Sequence, residues 1–104
     1  MFGSKKSSLA GEMDVTGLSS LLKGSQEFAR LWAEPDGPAT CLINPMALGP
    51  DPFLFGMTMV DCIRHGAKAY AQAVGISEEE ALARIYEGFD AERANPTDEP
   101  RQVN

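Results

Sequence analysis

The residues with the best claim to chemistry are Asp61, Arg64 and His65. His65 is the only histidine, and it follows Asp61 by four positions. On a helix that spacing lets a carboxylate and an imidazole meet. Such a pair is half of a general-base arrangement, which still needs a nucleophile or substrate group within hydrogen-bond reach. No Ser, Cys or Lys stands at a spacing that nominates it, so the ordinary reading is a polar-face histidine paired with Asp61. Arg30 and Trp32 sit at period two with Phe28, on one face of an expected strand. They could wall a ligand site, although aromatics so spaced more often form a sheet face that packs on a helix. Arg30, Trp32, Asp61, Arg64 and His65 together make the candidate ligand or partner surface. The sequence nominates no catalytic residue, no cofactor-binding residue and no metal ligand. A single histidine among scattered carboxylates lacks a ligand cluster. Glycine-rich phosphate loops and nucleophile elbows do not occur.

The chain has 104 residues and is 43% hydrophobic, enough for one small domain with a core. Nine Lys and Arg stand against fifteen Asp and Glu, for a formal charge of -6. An acidic surface excludes phosphate-rich partners, so neither nucleic acid nor an anionic membrane is expected. No apolar run approaches the roughly 20 residues that span a bilayer. Cys41 and Cys62 are the only cysteines. Each lies in an apolar setting and reads as a buried small hydrophobe rather than half of a disulfide. Lys5 and Lys6 precede a stretch too polar for a signal peptide, which points to the cytoplasm.

One motif is a decoy. Ala71 to Gly75 followed by Glu78 to Arg84 has the small residue, turn glycine and new helix of a helix-turn-helix. In that motif the second helix presents its first residues to bases and phosphates. Here those residues are Glu78, Glu79 and Glu80, which a polyanion repels.

The elements that position these residues follow from periodicity and punctuation. Residues 1–14 read as a disordered tail, and Leu18, Leu21 and Leu22 allow a short helix over 16–23. Residues 26–33 and 39–43 are strands, joined by the turn residues Glu34-Pro35-Asp36-Gly37-Pro38 into a β-hairpin. Asp51-Pro52 starts a long helix, and Gly75 ends it. Along it Met59, Val60, Ile63, Ala67, Tyr70 and Val74 form one apolar stripe. Gly56 and Gly66 weaken that helix and suit the close approach of another backbone. Ser77 and Glu80 form a capping box that opens a second helix, apolar at Leu82, Ile85, Tyr86 and Phe89. Residues 96–104 read as a disordered tail.

Glu27 to Ala33, the hairpin turn, Asp51-Pro52-Phe53 with Gly56, and Asp61 to His65 through Ala71 resemble a family of small bacterial proteins of unknown function. Ala81 to Ile85 and Phe89 to Glu92 extend the resemblance, which covers about Glu27 to Ala91. It implies a compact α+β domain in bacteria and no assigned activity, so no site residue transfers.

The expected fold class is α+β: a β-hairpin packed on a long helix, then a second amphipathic helix, in two layers, with one domain over residues 15–95. The reading favours a non-enzymatic, cytoplasmic, homodimeric interaction or regulatory module that needs no cofactor. The competing reading is a small-ligand binder or minor enzyme built on Asp61, Arg64 and His65. Dimerisation is expected because two strands leave an open edge and because the long helix begins with Phe53, Phe55, Met57 and Met59.

Overall fold

A run of turn residues sets the first half of the fold. The computed structural model describes residues 9–103. In it the Gly37 amide donates to the Glu34 carbonyl at 3.0 Å. Asp36 takes a left-handed conformation at φ 57°, one that Asp tolerates better than most residues. The strands on either side are β1, Ala29–Trp32, and β2, Thr40–Ile43. They pair antiparallel, with Ala29 opposite Ile43 and Leu31 opposite Cys41. Both strands are shorter than the sequence pattern suggests. A third strand, β3, Arg101–Gln102, pairs in parallel with β2 and gives the sheet order β1-β2-β3. This strand lies within residues 96–104, for which the sequence pattern predicts a disordered tail. One edge of β2 is therefore taken up from within the chain, and the outer edge of β1 is left.

The first long helix, α1, runs over Pro52–Val74. Asp51 caps it, its Oδ1 accepting from the Phe53 amide at 3.1 Å, and Pro52 occupies a position where no N–H is needed. Gly75 ends it at φ 74°, donating its amide to the Ala71 carbonyl. The second helix, α2, spans Glu78–Ala94, with Ser77 as its cap and Glu78, Glu79 and Glu80 on the positive end of its dipole. The α+β order of hairpin, long helix and second helix is the one the sequence predicts.

The core lies between the two helices. Ala67 of α1 and Ala81 of α2 are the fully buried apolar residues among those described, at 2% exposure each. Small side chains at the crossing let the helix backbones come close, and Met59, Ile63, Leu82, Ile85 and Tyr86 fill the flanks half-buried. Gly66 belongs to this seam, since a Cβ there would meet Ile85 Cδ1 at 3.9 Å. The hairpin meets α1 through Phe28 and Phe55, whose rings stand edge to face at 6.3 Å.

Three local expectations are corrected. The stripe along α1 divides: Met59, Ile63 and Ala67 turn inward, whereas Val60, Tyr70 and Val74 stay exposed, because α2 is too narrow a cover for all six. The segment expected as a short helix over 16–23 forms only a 3₁₀ turn at Thr16–Leu18 followed by turns, consistent with Gly17 and the neighbouring serines. Cys41 is half-buried and Cys62 exposed, and both are free thiols. Of the expected tail over 1–14, residues 1–8 lie outside the described residues. Beyond them, Glu12 sits 3.7 Å from Arg30, which places this stretch beside β1.

Candidate functional site

The predicted surface separates into two places. Arg30 and Trp32 project from the same face of β1, with Thr40 and Leu42 of β2 opposite them in register. Asp61, Arg64 and His65 stand exposed on α1. The clefts that Arg30 lines contain none of these three.

At β1 the local chemistry is ionic. The Arg30 guanidinium donates from Nε to Glu27 at 2.8 Å and from a terminal nitrogen to the same carboxylate at 3.2 Å. This two-pronged contact holds the Glu27 carboxyl below its usual range and raises the guanidinium further. Glu12 adds a third charge at 3.7 Å. An arginine between two carboxylates has little left for an anionic ligand. Beside it, residues 11–15 and β1 bound an open cleft of about 370 Å³ that reaches Trp32. Glu12 lies eighteen positions before Arg30 in a polar stretch, so no sequence signal pointed to it.

On α1 the spacing of Asp61 and His65 sets both on one flank of the helix, yet no hydrogen bond or ion pair joins them among the described residues. Both are exposed, as are Lys68 and Gln72 further along the same helix. Helix-borne side chains on a convex face do not enclose a substrate. Among the described residues no group of three His, Cys, Asp or Glu side chains could hold a metal ion. A wider depression, about 720 Å³, lies between the hairpin turn and the end of α2. Phe89, Arg93 and Pro96 line it, none of them among the candidate surface residues that the sequence nominates. Arg93 stacks over the Phe89 ring at 5.9 Å, and Tyr86 meets the same ring edge-on.

The rest of the molecule's surface is distinguished by apolar side chains. Phe53 and Met57 are 70% and 56% exposed at the start of α1, and Leu31 of β1 is 61% exposed. Among the described residues no helix is long and apolar enough to cross a membrane.

The family model for a domain of unknown function, DUF5076, matches residues 22–97. The chain belongs to this family. Its extent takes in the hairpin, α1 and α2, and leaves β3 and the first part of the chain outside. A solved structure from the photosynthetic bacterium Rhodopseudomonas palustrus CGA009, provisionally named a pyruvate dehydrogenase, is 33% identical. It is similar over 100% of this chain and 98% of its own, with a TM-score of 0.61. That name belongs to the neighbour. No curated protein matches.

Proposed function

We propose that this chain is a non-enzymatic interaction or regulatory module that works as a homodimer in the bacterial cytoplasm, without nucleic acid or membrane as a partner. The observation that carries the reading is the apolar surface left outside the fold. Phe53, Met57 and Val60 at the start of α1 are 70%, 56% and 44% exposed, and Leu31 of β1 is 61% exposed. Exposed patches of large apolar residues mark association surfaces. The acidic balance supports a protein partner over a polyanion. The competing reading, a ligand site on Asp61, Arg64 and His65, gains no support from side chains that face solvent on a convex helix.

Light scattering at micromolar concentration tests the proposal. A mass of about 22 kDa, twice the 11.2 kDa chain, is expected. A mass near that of one chain overturns the homodimer.

A further inference from the structure

We infer that residues 95–103 are a hinged strap, which closes the outer edge of β2 and opens as one unit while the hairpin and both helices stay folded. The strap is attached at both ends. At its start the Thr97 amide and hydroxyl donate to the Glu92 carboxylate of α2, at 2.8 and 3.0 Å. At its end β3 pairs with β2, and the Val103 amide donates to the Cys41 carbonyl at 3.3 Å.

Between these points the strap stands clear of the fold. Residues 96–100 form one wall of the hollow of about 720 Å³, with Phe89, Arg93 and the hairpin turn across from them. Every residue from Asn95 to Pro100 is exposed, and Val103 is 58% exposed. Opening therefore forfeits a few solvent-accessible hydrogen bonds and little apolar burial, the marks of a segment of low local stability. The helix seam, where Ala67 and Ala81 are buried, has no part in it. Two prolines confine the motion to a hinge. Pro96 cannot extend α2, because its ring and its missing N–H break a helix. Pro96 and Pro100 also disfavour helical conformations at Asn95 and Glu99, so the released strap has no helix to join. The family match ends at residue 97, so it takes in the Glu92 and Thr97 clamp and leaves out β3.

What the strap guards follows from the β ladder. The Asn44 amide donates to the Phe28 carbonyl at 2.7 Å, and bonding residues alternate along an antiparallel pair. The backbones of Asn44, Leu42 and Thr40 thus address β1, whereas that of Cys41 addresses β3. With the strap open, Cys41 presents an amide and a carbonyl at a sheet edge, the groups through which an edge recruits another strand. The closed strap satisfies that edge from within the chain.

Native-state amide hydrogen exchange on the full chain, read residue by residue in low urea, tests this. The Val103 and Cys41 amides should exchange together, at least about a hundredfold faster than that of Ala67. Their rates should hardly depend on urea, because a local opening exposes little surface. The Leu42 amide, one residue away but bonded toward β1, should remain slow. Glu92→Ala removes the clamp at the other end of the strap. It should speed Val103 and Cys41 by roughly fivefold to tenfold and leave Ala67 unchanged. Thr97→Val, which removes only the hydroxyl donor, should act in the same direction and by less. Val103 exchanging as slowly as Ala67 would make the strap part of the cooperative fold and overturn the inference. A Val103 amide with no protection at all would show that the strap does not close. Leu42 opening together with Cys41, or a folded Glu92→Ala that leaves Val103 unchanged, would show that the strap is not the unit that moves.

Discussion

Ser77 and Glu80 satisfy each other's backbone at the start of α2. The Glu80 amide donates to Ser77 Oγ at 3.0 Å, and the Ser77 amide donates to Glu80 Oε1 at 3.2 Å. Two amides that the helix itself cannot satisfy are thereby paired. α2 supplies Ala81, one of the two buried alanines, so its first turn bears on the helix seam as well. Ser77→Ala should lower stability by about 1 kcal/mol. An unchanged urea midpoint would show that the reciprocal cap contributes nothing in solution.

The contact between Phe28 and Phe55 ties the hairpin to α1. Their rings are perpendicular, at 89° and 6.3 Å between centroids. Truncating either ring to alanine should cost about 2 kcal/mol through lost apolar burial. The double variant should cost less than the sum, by about 0.5–1.5 kcal/mol, the worth of an edge-to-face pair. Strict additivity in denaturation would mean that the two rings do not meet.

What the sequence makes legible here is local. Asp51, Pro52, Gly75, Ser77 and Glu80 act within one helical turn, so their types alone mark where α1 and α2 begin and end. The hairpin turn is legible for the same reason, with Asp36 taking the positive φ. β3 is not, because Arg101 and Gln102 carry no strand pattern and owe their conformation to β2, some sixty positions earlier. The candidate surface suffers from the same limit. Spacing places Asp61, Arg64 and His65 on one helix, but only the docking of α2 decides that this flank faces water, and only the approach of residues 11–15 makes Arg30 a partner of Glu12.

The Glu27 and Arg30 pair gives a pH signature. The carboxyl of Glu27 is lowered by the hydrogen bond from Arg30, so the folded state binds its proton more weakly than the unfolded chain does. Its stabilising contribution is therefore complete above the usual glutamate range and fades as pH falls through the lowered value. Glu27→Gln should be slightly less stable than the wild type at neutral pH, and the difference should vanish in strong acid. The effect is small because the pair is exposed to solvent. A Glu27→Gln deficit that persists unchanged in acid would remove the ion pair as its cause.

His65 should be dispensable to the fold. It is exposed on α1 and bonded to neither Asp61 nor any other described group. His65→Gln is expected to change stability by no more than about 0.5 kcal/mol, as for surface positions generally. The mass of the assembly should also be unaltered. Loss of a cellular phenotype in a variant that folds and assembles normally would instead point to a site on Asp61 and His65.

Thermal unfolding should depend on protein concentration. If the apolar start of α1 is covered only in a dimer, unfolding releases two chains, and mass action raises the midpoint as concentration rises. A tenfold increase adds about 1.4 kcal/mol to the stability of the assembled state at 25 °C. For a unit of roughly two hundred residues that corresponds to about 3–5 °C in Tm. The exposure of Phe53, Met57 and Val60 in the single chain is what links this measurement to the structure. With their surface covered by a second copy, dilution must strip that cover before the helices separate from the hairpin. Scanning calorimetry over a hundredfold concentration range should give a steadily rising midpoint. A midpoint independent of concentration would mean that the apolar start of α1 is tolerated in water by a stable monomer.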